Sequence, residues 1–174
     1  NEGLPDDSWS LTYHDYDPAK ERNREVLLAV GNGYFGTRGA MEEAYANEYN
    51  YPGTYMSGVY NRLISKVAGR DIENEDLVNV INWLPLNMRI GDGEWFDANT
   101  TNIMDIRRRL DFRNGVLERE MVICDALDRK TRIVSRRMAS MHDPHLAALE
   151  YTITPLNYSG TITIRSGLYG DHIN

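Results

Sequence analysis

The chain has 174 residues, of which 41% are hydrophobic and 26% charged, as expected for a globular protein of one domain. No run approaches the roughly 20 apolar residues of a membrane-spanning helix, and residues 1–5 do not resemble a signal peptide. We therefore expect a cytoplasmic protein without a membrane partner. The net charge of −7 argues against a nucleic-acid partner, because phosphate backbones are bound by clustered Lys and Arg. A single cysteine excludes an intrachain disulfide.

Two glycine-containing turns organise the amino-terminal half. Gly31-Asn32-Gly33 predicts a tight turn between strands at 26–30 and 34–37. Gly91-Asp92-Gly93 predicts a second hairpin, between strands at 86–90 and 94–96. Segments 40–52 and 61–80 are polar and weakly periodic. They are predicted to be long loops, with one helical turn at 62–67.

The carboxy-terminal half alternates Val-, Ile- and Thr-rich runs with turn residues about every ten positions, which is typical of antiparallel sheets. Asn114-Gly115 predicts a two-residue hairpin turn, and Asp128-Arg129 predicts the next turn. The predicted strands are 117–124, 131–138, 145–154 and 161–165. The sequence therefore predicts an all-β fold, an antiparallel β-sandwich with long loops and little helix.

No self-contained active site is evident. His142-Asp143-Pro144-His145 is the one close pair of histidines, and the proline between them is unlike a metal-binding arrangement. Gly31-Asn32-Gly33-Tyr34-Phe35-Gly36 satisfies a loose dinucleotide-binding pattern, but no helix is predicted after it. We expect no metal, no cofactor and no catalytic residue in this chain.

Most charged residues have a simple interpretation as solvated surface. The basic cluster Arg107-Arg108-Arg109 is predicted to lie on a solvated strand face. The loop carboxylates are predicted to be exposed, since Asp and Glu are rarely buried; they are Glu42, Glu43, Glu73, Glu75 and Asp76.

The predicted loops are rich in aromatic and amide side chains, including Tyr45, Asn50, Trp83, Trp95 and Phe96. Aromatic faces stack on sugar rings, and amides both donate to and accept from hydroxyls. The same composition is typical of a domain interface, where Tyr and Trp are enriched. Both interpretations stay open.

Five ordered blocks resemble glycoside hydrolase family 65, which includes maltose, trehalose and kojibiose phosphorylases. The first is Gly31-Asn32-Gly33-Tyr34-Phe35-Gly36-Thr37-Arg38-Gly39, and the second runs from Tyr51-Pro52-Gly53-Thr54-Tyr55 to Tyr60-Asn61-Arg62. The third joins Glu75-Asp76-Leu77-Val78-Asn79 to Asn82-Trp83-Leu84-Pro85-Leu86. Residues 110–117 and 136–141 supply the last two. Five blocks in the right order make the match specific.

The resemblance implies that residues 1–174 form the amino-terminal sandwich of galactose-mutarotase type, with the catalytic (α/α)6 barrel absent. The chain would then be a non-catalytic part of an inverting α-glucoside phosphorylase or hydrolase. Its partners would be the barrel of the same parent chain, an α-linked glucose disaccharide and a second subunit, with inorganic phosphate as co-substrate of a phosphorylase. Which disaccharide is cleaved, and whether by phosphate or water, stays open.

The tail from Ser166 to Asn174 departs from the family pattern at Tyr169, where Asp is expected. The family sandwich also continues further, so we expect a truncated sandwich whose unpaired strand edges favour self-association.

Within the resembling blocks, we expect contact with the barrel or its sugar from Arg38, Tyr55, Tyr60, Asn61 and Arg62. In the alternative interpretation, Arg38 ties the loops of the sandwich together. A free-standing carbohydrate-binding module is the competing function. An active mutarotase-like enzyme is a third possibility, suggested by fold analogy alone.

Overall fold

A computed structural model describes residues 6–170. Within this range no helix is long or apolar enough to cross a membrane. The elements in chain order are a 3-10 helix (Asp6–Trp9), β1 (Ser10–Tyr13), α1 (Pro18–Leu27), β2 (Val30–Gly31), β3 (Phe35–Thr37), β4 (Thr54–Val67), β5 (Arg70–Asn79), β6 (Leu86–Ile90), β7 (Asn102–Asp111), β8 (Val116–Cys124), β9 (Lys130–Ala139), β10 (Ala147–Pro155) and β11 (Ile162–Ser166).

The strands form three antiparallel sheets. The largest has the order β1-β7-β8-β9-β10, and the others are β2-β3-β4-β5 and β11-β6. Apolar residues of β7, β8 and β9 pack against Met88 and Ile90 of β6 in one core cluster. In another, residues of β7 and β8 pack against Leu28 and Val30. The predicted all-β antiparallel sandwich with little helix is confirmed.

The four predicted strands of the carboxy-terminal half form at nearly the predicted positions, as β8 to β11. The hairpin turn between β7 and β8 differs, because it is a four-residue loop in which only Gly115 has a positive φ, of 62°. The carboxylate of Asp111 accepts the backbone N–H groups of Arg113 and Asn114 at 2.9 and 3.1 Å. These bonds fold the loop without the two-residue turn that Asn114-Gly115 predicted.

The strand predicted at 26–30 is wrong for most of its length, since α1 continues to Leu27 and only Val30 belongs to a strand, β2. Asp17 caps the helix by accepting the N–H of Ala19 at 3.1 Å, and Pro18 takes the first turn, where no N–H is needed. The buried face of α1 carries Glu21, Arg24 and Glu25. This spacing is helical, but the buried stripe is charged, so hydrophobic periodicity did not reveal it.

The loop predicted at 61–80, with a helical turn at 62–67, is also wrong. This segment belongs to β4 and β5, which form a long hairpin closed by Ala68 and Gly69 at φ values of 50° and 78°. Two positive φ values define a turn that Asn-Gly usually makes, so Ala-Gly gave no signal. We call residues 58–77 the arm. β5 pairs only with β4, and nearly all arm residues are exposed.

Two smaller expectations have opposite outcomes. Segment 40–52 has neither helix nor strand, as predicted. The strand predicted at 94–96 does not form, although the Phe96 N–H donates to the Met88 carbonyl at 3.0 Å and holds this segment beside β6.

Candidate functional site

Two of the five predicted contact residues, Arg38 and Tyr55, lie in one cluster at the end of β3. The Arg38 guanidinium donates to the Arg22 carbonyl at 3.0 Å and lies 5.2 Å from the centre of the Tyr51 ring. Its Nε is 3.7 Å from Oε2 of Glu25 on α1. Arg38 therefore links α1 to the 51–55 segment, the geometry expected when an arginine ties the sandwich together.

Glu25 was not predicted from the sequence, and it is the most perturbed carboxyl of this cluster. It is fully buried, and one of its oxygens accepts the Tyr51 N–H at 2.9 Å. The other oxygen has no hydrogen-bond partner. Burial raises the pKa of Glu25 from 4.5 to about 7, against the opposing effects of the Tyr51 N–H and Arg38.

The other three predicted residues lie on the arm, away from Arg38. Tyr60 pairs with Leu77, Asn61 with Asp76 and Arg62 with Glu75 across the hairpin. Arg62 forms exposed ion pairs with Glu75 at 2.7 Å and Glu73 at 3.4 Å. Such exposed pairs contribute little stability to the arm. The charged side chains of the arm are therefore available, together with its apolar ones, to contact another surface.

Both faces of the arm carry large apolar side chains that contact solvent. Opposite residues of an antiparallel pair share a face. Tyr60 and Leu77 therefore lie on one face with Ile64, whose exposed fraction is 72%. Leu63 and Val67 lie on the other face and are also more than half exposed. A two-stranded hairpin of this kind is only marginally stable without a covering partner.

The prediction that Glu42 and Glu43 are solvated is wrong. Both are buried against Arg119, whose guanidinium lies 2.8 Å from Glu42 and 2.6 Å from Glu43. The Tyr151 hydroxyl donates to Glu43, and the Arg137 guanidinium donates to the Ala40 carbonyl at 2.7 Å. Burial opposes ionisation, but Arg119 and Arg137 outweigh it and hold the pKa of Glu42 below its usual range.

The prediction that Arg107-Arg108-Arg109 is a solvated face fails at its central residue. Arg108 is 2% exposed and makes two bonds to the Glu21 carboxylate, at 2.6 and 2.8 Å. The Glu21 carboxylate also forms an ion pair with Nη1 of Arg24, at 3.2 Å. Arg108 alternates with buried Ile106 and Leu110, so period-2 alternation could have located it. The sandwich interior therefore contains paired charges between its two apolar clusters.

A second set of aromatic and amide residues surrounds a cavity of about 250 Å³. We call it the amide–aromatic cavity; its lining includes Tyr16, Glu43, Tyr45, Asn47, Asn50, Asn87, Trp95, Phe96, Asp97, Asn99 and Arg165. Tyr45, Asn50, Trp95 and Phe96 were singled out in the sequence, and the structure brings them together. Burial raises the pKa of Tyr16 to about 12, so its hydroxyl stays protonated and donates to Asn99 at 2.9 Å.

The histidines give no metal site in the described part of the chain. His145 and Tyr34 stack edge to face with ring centres 4.3 Å apart. No group of three or more His, Cys, Asp or Glu side chains between residues 6 and 170 has metal-binding geometry. His172 and the end of the tail, residues 171–174, lie outside the described residues.

Comparison with known proteins gives consistent results. The family model described as "Glycosyl hydrolase family 65, N-terminal domain" matches residues 11–174. An uncharacterized glycosyl hydrolase of Mycobacterium tuberculosis is 46% identical over 161 residues, which are 92% of this chain and 12% of that protein. Kojibiose phosphorylase of Thermoanaerobacter brockii is 32% identical over 174 residues, which are 100% of this chain and 21% of that protein.

A solved structure supports the fold independently. It is the structure of a protein from the human microbiome that is named as a candidate kojibiose phosphorylase. The match covers 90% of this chain and 21% of that protein's chain, with a TM-score of 0.79. Its sequence identity is 24%, so the likeness concerns the fold alone. The chain thus spans between 12% and 21% of the length of these relatives.

Proposed function

Since the chain belongs to the N-terminal domain family of glycosyl hydrolase family 65, we propose that it is the non-catalytic part of a cytoplasmic, inverting α-glucoside phosphorylase or hydrolase. Residues 1–174 act as one sandwich domain, and catalysis belongs to a barrel elsewhere in the parent chain. An α-linked glucose disaccharide is the substrate, with inorganic phosphate as co-substrate if the parent is a phosphorylase.

The exposed arm is the observation that carries this proposal. Its apolar side chains on both faces need a cover, and its paired charges around Arg62 suit a polar rim. The relatives are several times longer than this chain, so we assign the arm to the catalytic part of the same parent. Tyr60, Asn61 and Arg62 then lie in that interface, while Arg38 and Tyr55 support its base.

Binding between this chain and the separately produced remainder of the parent tests the assignment. Substituting Ile64 by Ser should weaken the complex by about tenfold or more, since a buried apolar anchor is lost. Leu127→Ser is the matched control, because Leu127 is 73% exposed but lies outside the arm. Equal effects of the two substitutions would show that the arm is not the docking surface.

The non-catalytic role has its own test. The isolated chain, incubated with maltose, trehalose or kojibiose and phosphate, should release no glucose 1-phosphate. Steady turnover would refute the proposal. Self-association through the outer edges of β10 and β11, which have no neighbouring strand among residues 6–170, is a further part of it. Light scattering that gives a monomer at high concentration would contradict that part.

Carbohydrate binding by the chain itself is the second candidate, and the amide–aromatic cavity favours it. Its aromatic walls and amides are the groups that hold neutral sugars. Calorimetric titration with the same three disaccharides tests this candidate. Asn99→Ala should abolish the heat, and Asn23→Ala on the exposed side of α1 should not. Absence of heat with the unsubstituted chain would eliminate the candidate.

A further inference from the structure

Two arginines share one face of the small β6-β11 sheet. Arg89 pairs with Thr163, and Asn87 pairs with Arg165. Opposite and alternate residues of an antiparallel pair lie on the same face, so all four point away from the core that Met88 contacts.

Trp95 lies against both arginines on this face. The distance to the centre of its ring system is 5.1 Å from Cζ of Arg89 and 4.3 Å from Cζ of Arg165. Asn87 anchors the backbone next to Trp95, because its side-chain amide donates to the Phe96 carbonyl at 2.9 Å. The segment that carries the indole is therefore attached to the sheet that carries the two arginines.

Neither guanidinium has a carboxylate partner within 4.0 Å among residues 6–170. Six other arginines are closely paired; Arg24, Arg108, Arg119, Arg129, Arg132 and Arg136 each lie within 3.2 Å of a carboxylate. Nε of Arg89 is buried without a hydrogen bond, and Arg165 has one bond, of 3.5 Å, to the Tyr45 hydroxyl. Because both guanidinium groups contact the same indole, their charges lie within about 10 Å of each other, which is the Debye length at 0.1 M salt. The two charges therefore repel each other.

An anion would relieve this repulsion and use the free donors. A guanidinium fork binds the oxygens of phosphate in a bidentate manner. Arg165 and Trp95 also line the amide–aromatic cavity, whose 250 Å³ is below the volume of about 300 Å³ at which sites for drug-sized ligands begin. The cavity therefore suits a ligand smaller than a drug-sized molecule, such as one sugar ring.

We propose that this face binds a phosphorylated monosaccharide, with the phosphate on Arg89 and Arg165 and the sugar ring against Trp95 in the amide–aromatic cavity. Asn47 donates to a sugar hydroxyl through its side-chain N–H groups, since its Oδ1 already accepts the backbone N–H groups of Tyr49 and Asn50 at 2.7 and 2.8 Å. Two carboxylates also line the cavity: Glu43 is neutralised by Arg119, and Asp97 accepts from a sugar hydroxyl. The inference does not depend on the proposed docking role of the arm, since it concerns residues outside the arm, and it shares the amide–aromatic cavity with the neutral-sugar candidate.

Calorimetry with the 174-residue chain and four probes tests the site: glucose 6-phosphate, glucose 1-phosphate, glucose and inorganic phosphate. At least one sugar phosphate should bind more tightly than glucose or phosphate, with an affinity that falls as salt is added. Arg89→Gln and Arg165→Gln should each lower this affinity by about tenfold or more, the loss expected for a charge-assisted hydrogen bond.

Arg113→Gln is the matched control, because Arg113 also lies over an indole, that of Trp9, at 5.4 Å. Its removal should leave the affinity unchanged. Arg165→Lys, which keeps the charge without the fork, should give an intermediate affinity. Circular dichroism verifies that each variant is folded.

Four outcomes would overturn the proposal. They are no binding of either sugar phosphate, equal affinity for inorganic phosphate, equal affinity for neutral glucose, and equal losses in Arg165→Gln and Arg113→Gln. Equal affinity for glucose would instead support the neutral-sugar candidate, so failure of the two ideas can be told apart.

Discussion

The buried pair between Glu21 of α1 and Arg108 of β7 gives the sharpest stability prediction. The two side chains are 1% and 2% exposed, and Nη1 and Nη2 of Arg108 donate to the Glu21 carboxylate at 2.6 and 2.8 Å. Substituting Glu21 by Met removes the carboxylate and leaves Arg108 as a buried charge. Removing one partner of such a pair costs about 3–5 kcal/mol.

The two single substitutions should differ in a direction that the structure determines. Arg108→Met leaves Glu21 with Arg24, whose Nη1 is 3.2 Å away. We therefore expect a loss in the free energy of unfolding of about 3 kcal/mol for Arg108→Met and about 4 kcal/mol for Glu21→Met. The double substitution leaves no unpaired charge and should cost less than the sum of the single ones, with a coupling energy of about 3 kcal/mol.

Urea unfolding at pH 7, followed by circular dichroism, measures these differences. Glu73→Met on the arm is the control, since Glu73 forms an exposed ion pair and its removal should cost less than about 1 kcal/mol. Single substitutions that cost no more than this control, or that add without coupling, would refute the argument that the pair is buried and charged.

Three further predictions concern other buried contacts. The folded chain keeps the proton of Glu25 up to a pKa of about 7, whereas the unfolded chain releases it near 4.5. The contribution of Glu25 to the free energy of unfolding should thus fall by about 3 kcal/mol as the pH rises from 4.5 to 7, and the difference in stability between the unsubstituted chain and Glu25→Gln should change by this amount in a series of urea titrations. Gly39→Ala would place a Cβ in a clash with Cβ of Leu28 and should cost about 3 kcal/mol. Gly167→Ala, whose Cβ would meet nothing within 4 Å, should cost much less, and equal melting temperatures of the two variants would contradict this reason. In Asn32→Ala, the bond that the Asn32 amide donates to the Ser140 carbonyl at 2.7 Å is lost, as is the bond that its Oδ1 accepts from the Tyr34 N–H at 2.8 Å. If the free energy of unfolding measured in urea falls by less than about 1 kcal/mol, these bonds do not fix the turn.

The candidate site was only partly predictable from the sequence. The resembling blocks contain Arg38 and the arm residue Arg62, but sequence proximity suggested one contact surface. The structure separates them, because the pairing of β4 with β5 is irregular between Tyr55 and Tyr60, where Gly58 has a φ of 79°, and Arg62 lies beyond this irregularity. The amide–aromatic cavity combines residues from position 16 to position 165, and only the fold brings them together.

The sequence by itself determined β8 to β11, because strand periodicity and turn residues are local properties of the chain. Only the tertiary structure decided the position of α1, whose buried stripe contains Glu21, Arg24 and Glu25. A titratable residue is buried when a partner of opposite charge faces it, or when burial shifts its pKa towards the neutral form, as for Glu25. For Glu21 the partner is Arg108, 87 positions away, so no pattern within α1 could distinguish its buried charges from solvated ones.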